Sequence, residues 1–272
     1  YDPEKIVRIN ISYGAMGDRP DVELIKSGNG WGVITPELNN SIPADLEYVN
    51  RILLGGVSLS GNKIYDSQEE LKHEDPFKLI RFQADFINSE GDPFNLTVGD
   101  VDAEEEAYYV KSSAEFPLYL VDINDVNGIL IDKYSYGDKW IVDPDPALYK
   151  IITSGFLNEK QITLKSGGDN KRWYVNNRNI YGNDEIKSGL LINLRSFDII
   201  SYKSENLIKD KNPDDMSFLE FDNDRLYFIH ETEFYLVVKY STETKKYDPR
   251  VWRVPLNNIR TIEQFFKDLS NL

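Results

Sequence analysis

Apolar and polar residues alternate along much of this chain, with the period of two that marks strands half buried in a sheet. Ile6-Val7-Arg8-Ile9-Asn10-Ile11 is the first such run, followed by Val22 to Ile25 and Trp31 to Ile34. Between the last two, Ser27-Gly28-Asn29-Gly30 reads as a hairpin turn, with Asn-Gly supplying positive φ. The period then changes. Leu46, Val49 and Leu53 lie at helical spacing behind Pro43 and Asp45, which suit a first turn, and Gly55-Gly56 reads as the stop. Phe77 to Gln83, Phe94 to Val98, Ala107 to Lys111 and Leu118 to Asp122 return to strand character. Their short spacing predicts an antiparallel meander rather than βαβ crossovers. Asn124 is placed to cap a short helix through Leu130.

The same order then returns. Leu148 to Thr153, Gln161 to Lys165 and Trp173 to Asn176 read as strands. Asn183 or Asp184 caps a predicted helix running to Phe197, with Ile186, Leu190 and Leu194 on one face. Ser217 to Phe221, Arg225 to His230, Phe234 to Tyr240 and Val251 to Leu256 form a second meander. A closing helix carries Ile262, Phe265, Phe266 and Leu269, behind a Thr261-x-x-Gln264 capping box. Lys26-Ser27-Gly28 before Trp31 recurs as Lys165-Ser166-Gly167 before Trp173. The interval is domain-sized, so it reads as a duplication and not a solenoid, with each Trp anchoring a core. Asp143-Pro144-Asp145-Pro146 reads as a stiff connector. The predicted fold is α+β: two tandem related units, 1–143 and 144–272, each a mostly antiparallel sheet with one or two packed helices.

Charge distinguishes the two units. The chain carries a net charge of −15, and all of it lies in the first. Residues 1–143 hold 12 Lys+Arg against 27 Asp+Glu, whereas 144–272 hold 19 of each. Such a balance argues against nucleic acid as a partner and against direct adhesion to anionic lipid. There are no cysteines, so disulfide and thiolate chemistry are excluded. No apolar run reaches the ~18 residues of a membrane span. The sequence begins at Tyr1 rather than Met, so a signal peptide or membrane anchor upstream is expected to have been removed.

No catalytic constellation stands out. The histidines are His73 and His230 alone, one in an acidic stretch and one at a strand end. Gly56-Val57-Ser58-Leu59-Ser60 misses the last glycine of a nucleophile elbow and follows a helix rather than a strand. A carboxylate-based hydrolase needs two carboxylates held ~5–10 Å apart, and sequence cannot pick a pair from 46 acidic residues. Trp31, Trp140, Trp173 and Trp252 are of the type that stacks on sugars, which keeps a carbohydrate- or peptide-binding module as the alternative; burial in a core is the simpler reading. The densest acidic run is Asp100 to Glu106. Asp102, Glu104, Glu105 and Glu106 offer oxygen ligands of the kind Ca²⁺ takes, and the simpler reading is a charged hairpin loop with no cofactor. Tyr108 and Tyr109 point to opposite faces of the following strand, so one is expected to be more exposed. These six residues form the candidate contact surface.

The order of motifs resembles the bacterial domain-of-unknown-function family 4340. The matching places are Trp31, Pro36, Ala44-Asp45, Asp75-Pro76, Val98-Gly99, Tyr108-Tyr109-Val110 and Gly137-Asp138-Lys139-Trp140. The likeness spans about residues 6 to 142. In the second half it reaches only Lys165, Trp173 and the following helix, with no Pro after Trp173 and no Tyr-Tyr pair. The resemblance implies an extracytoplasmic domain behind one N-terminal membrane helix, encoded beside ABC transporter components, including gliding-motility types. It supplies no catalytic residues. The expected function is therefore a non-enzymatic accessory domain, anchored in the cell envelope, that binds an envelope or transporter protein.

Overall fold

The computed structural model describes residues 2–15, 17–28, 30–67, 71, 75–91, 93–113, 117–142, 150–154, 162–166, 172–175, 178–182, 189–190, 192–212, 215–221 and 223–270. The chain divides into two compact units, Tyr1–Asp138 and Lys139–Leu272. Lys139–Val142 join the second unit by backbone pairing. Trp140 bridges Ser196, the Ile141 amide donates to the Arg195 carbonyl at 3.1 Å, and Phe197 donates to Lys139 at 3.3 Å. The Asp143–Pro146 connector lies outside the described residues.

The first unit is one antiparallel sheet. Its strands are β1 (Ile6–Ser12), β2 (Val22–Ser27), β3 (Gly30–Ile34), β4 (Ile42–Pro43), β5 (Gly61–Tyr65), β6 (Phe82–Asn88), β7 (Pro93–Asp102), β8 (Ala107–Ser112) and β9 (Leu118–Asp122). They lie in the order β4-β3-β2-β1-β6-β7-β8-β9-β5. The second unit has β10 (Lys150–Ser154), β11 (Ile162–Ser166), β12 (Arg172–Val175), β13 (Arg178–Gly182), β14 (Ile199–Ser201), β15 (Ser217–Phe221), β16 (Asp224–His230), β17 (Phe234–Ser241) and β18 (Lys246–Pro255). Their order is β13-β12-β11-β10-β15-β16-β17-β18-β14, the first sheet's order shifted by nine strands.

The predicted α+β class is corrected by this arrangement: the protein is mostly β. Each unit is a nine-stranded antiparallel sheet, and the described helices are few: α1 (Leu46–Ser58), α2 (Ile123–Asn127), α3 (Ser204–Ile208) and α4 (Leu256–Ser270). The physical reason is that edge segments of two or three residues (β4, β14), or of five without apolar alternation (β5, β13), pair as strands all the same. All four escape the sequence reading for that reason. The helix predicted to Phe197 begins outside the described residues. Its end is not helical as expected: Ile192–Leu194 is a 3-10 turn and Ser196 is in a bridge.

Paired residues of neighbouring strands point to one face, and that rule builds the cores. Ile9 lies between Leu24 and Phe86, and Ile11 between Val22 and Ala84. All six are fully buried. Helix α1 starts at Asp45, whose carboxylate accepts from the Glu47 amide at 2.9 Å. Pro43 belongs to β4 rather than to the helix. Gly55-Gly56 does not stop the helix, which runs on to Ser58. Those glycines are there for space: a Cβ on Gly56 would sit 2.7 Å from Phe86 Cζ, and one on Gly55 would run into Ile129. In α2 the cap is Asp122, not Asn124. Helix α4 begins five residues before the expected capping box, so Thr261 lies inside it and donates its hydroxyl to the Asn257 carbonyl at 3.0 Å. Ile259, Ile262 and Phe266 are its buried residues among those described. Trp252 is fully buried, flanked by Val237 and Ile199 across the ladder.

The duplicated hairpins differ in register. Trp31 pairs with Lys26, but Lys165 pairs with Tyr174 and Trp173 with Ser166. A slip of one residue moves a side chain to the other face. The two tryptophans aligned by the Lys-Ser-Gly motif are therefore not equivalent: Tyr174 takes the place of Trp31. Trp31 is only half-buried, so it does not anchor its core as expected.

Candidate functional site

The acidic run closes the β7–β8 hairpin. Asp102 ends β7, and its Oδ1 accepts from the amides of Glu104 at 3.0 Å and Glu105 at 3.2 Å, which folds the turn. Glu106 completes it at φ 51°, an uncommon value for a residue with a Cβ. Glu104, Glu105 and Glu106 are all exposed. Four of the six candidate residues thus stand on one turn, three of them, Glu104, Glu105 and Glu106, with their charges in water.

The two tyrosines depart from expectation. Tyr108 is 8% exposed and Tyr109 5%, so neither ring is a contact surface. Alternation does place them on opposite faces, but both faces are covered here. Tyr108 pairs with Val121, on the face of Val98 and Val110. Tyr109 belongs to a second core with Tyr65, Leu71, Ala107, Leu118 and Leu120, against which Phe77 packs. Its hydroxyl donates to Asp102 Oδ2 at 2.8 Å. Burial first, and then the Asp102 carboxylate, push the Tyr109 phenol well above its ordinary value of 10.0. Asp102 therefore organises the turn with one oxygen and the second core with the other.

A β-bulge sets the geometry beneath the turn. Val98 pairs with Val110 and Val101 with Tyr108, so β7 carries one extra residue at Gly99-Asp100. The Asp100 amide donates to the Pro76 carbonyl at 2.8 Å. Gly99 is required by this approach, since a Cβ there would lie 2.5 Å from that carbonyl oxygen. Asp100 receives Arg81 Nη2 at 2.8 Å, and that bond, followed by the Val101 amide, holds its carboxyl below the ordinary 3.8. Between the 75–79 segment and the hairpin lies an open cavity of about 380 Å³, lined by Asp75, Lys78, Leu79, Asp100, Asp102 and Glu104 among others. Leu79 is 57% exposed beside it.

On the other flank, Lys63 of β5 lies over the Tyr65 ring, 5.0 Å from its centroid, with Nζ 4.0 Å from Glu105. Contact with the Tyr65 hydroxyl, helped by Glu105 and Asp102, raises its pKa from the ordinary 10.5. Lys63, Asp75, Lys78 and Arg81 are site residues that sequence reading missed. Only Asp75-Pro76 had a signal, as one of the places matching the family pattern; the others are brought to the turn by the sheet.

Chemically, the site presents fixed negative charge. Among the described residues no three or more His, Cys, Asp or Glu side chains are grouped to hold a metal ion. His230 stacks edge-on against Tyr235 at 4.9 Å, and His73 lies outside the described residues. Ser58, of the incomplete elbow, caps its own helix by donating to the Leu54 carbonyl at 2.7 Å. Comparison with protein-family models, with curated proteins and with solved structures found no match.

Proposed function

We propose that this protein is a non-enzymatic accessory domain of the bacterial cell envelope, whose acidic first unit binds a positively charged surface of another envelope protein. The observation that carries the reading is the β7–β8 turn. It holds three exposed glutamates on a scaffold whose other polar groups are already bonded to one another. Asp102 is occupied by Tyr109 and two amides, and Asp100 by Arg81 and an amide. Carboxylates so tied serve to position charge rather than to transfer protons. The envelope setting, the membrane anchor and the transporter partner rest on the family resemblance alone. The test is affinity capture of the anchored protein from its own membranes, for wild type and for Glu104→Lys, Glu105→Lys, Glu106→Lys together. Transporter subunits should accompany the wild type and be lost from the triple variant. Equal recovery with both, or with neither, counts against the reading.

A second reading rests on the second unit. The half-buried rings of Tyr240 and Tyr247 lie with centroids 4.8 Å apart, and the half-buried Phe218 stands beside the buried Tyr227 at 6.3 Å. Arg225 lies over Phe218 at 4.2 Å and bonds Glu220. Rings beside a charged pair suit a sugar. Silence on a glycan array would remove this alternative.

A further inference from the structure

The two sheets share one topology but end differently, and the difference identifies a docking edge. In each unit the strand after the meander's last member closes the sheet: β5 beside β9, and β14 beside β18. Strand β14 is three residues long, none of them exposed, and leads into α3, whose Ser204 and Ile208 are buried. Strand β5 has five residues, the first four exposed. No described strand pairs with its outer edge. Ile64, a β-branched apolar side chain suited to a strand, stands 53% exposed there.

An open edge offers a row of backbone donors and acceptors to any extended chain, and proteins blunt such edges with charged side chains, above all lysine. Here the one lysine of β5 is turned onto the sheet, held over Tyr65 and toward Glu105. Asn62 sits at a bulge, unpaired with β9. Among the described residues the edge is thus left open to a strand.

Charge selects the occupant. A second copy of this chain would set one strongly acidic unit against another, whereas a positively charged strand would gain from Glu104, Glu105 and Glu106, on the flank that Lys63 already reaches. We propose that a basic, extended segment of the partner adds to the outer edge of β5 as a tenth strand, the backbone giving the register and the glutamates the charge preference. This rests on the binding-domain reading and specifies its mode.

The test uses the whole chain and a soluble peptide alternating Lys and Thr, followed by amide hydrogen exchange. Binding should slow exchange at Gly61–Tyr65 and leave Ile199–Ser201 unchanged. Asn62→Pro removes the amide of the β5 residue that has no Cα partner in β9, and Ile64→Lys keeps the backbone but repels the peptide; each should weaken binding about tenfold or more. A Glu-Thr peptide should not bind. Protection elsewhere, equal binding of the acidic peptide, or no binding overturns the proposal. Self-association protecting Gly61–Tyr65 also overturns it, because the occupant would then be a second copy. If transporter capture still fails with the glutamate-reversed protein while Gly61–Tyr65 stays unprotected by the peptide, the binding reading stands and the strand-addition mode falls.

Discussion

Gly56 shows how one residue answers to two demands. In a helix, glycine costs ~1 kcal/mol relative to alanine. Here the missing Cβ makes room for Phe86, whose Cζ would be 2.7 Å away. Overpacking a filled core costs ~1–3 kcal/mol, so Gly56→Ala is expected to lose about 1 kcal/mol net, seen as a lower urea midpoint at unchanged slope. A raised midpoint would mean that Phe86 can move aside. Tyr109 is the second case. Tyr109→Phe deletes one hydrogen bond to a charged partner and is expected to cost ~1–2 kcal/mol. Its pH dependence has a definite sign. The folded phenol titrates above the ordinary 10.0, so its contribution is complete below that pH and is lost as pH climbs beyond it. Stability measured from pH 9 upward should therefore fall less steeply in Tyr109→Phe than in wild type. Neither role is visible from the residue's neighbours in sequence, because Phe86 and Asp102 reach these positions only through the fold.

Elements follow local chemistry where the chemistry is local. Strands β15 and β9 begin and end where alternation places them, and the other strands that alternation predicts begin or end within a few residues of their predicted limits, apart from β6. Strand β6 starts at Phe82 rather than Phe77, since the 75–79 segment is drawn off to receive the β7 bulge. Helix caps are chosen by geometry. Asp45 and Asp122 each lie one residue before the first helical residue and bond an amide two residues on. Asp45→Ala should cost about 1 kcal/mol, while Asp45→Asn or Asp45→Ser should recover most of it, in the same denaturation assay. Full stability in the alanine variant would show that the β4 and Tyr136 backbone contacts hold that end unaided. The short edge strands have no such local signature. A two-residue strand like β4 exists because β3 offers it a partner.

At the scale of the molecule, each unit has its own sheet, its own cores and the same strand order. A fragment ending at Asp138 is therefore expected to fold alone, with a β-type circular dichroism spectrum and a single cooperative urea transition. A fragment without a cooperative transition would overturn that independence. The sequence by itself determined the duplication, the positions of most long strands and the concentration of negative charge in the first unit, since each depends on residue type and short-range spacing. Tertiary structure alone decided that the protein is mostly β, that both Tyr108 and Tyr109 are buried, that Trp31 and Trp173 are not equivalent, and that Asp75 and Lys63 flank the acidic turn. Those outcomes depend on which strands become neighbours, on a one-residue register and on what covers each face. Periodicity tells which side chains share a face; only the assembled sheet determines what that face meets. The Lys-Ser-Gly repeat illustrates the limit, for the same triplet leads into hairpins whose registers differ by one residue.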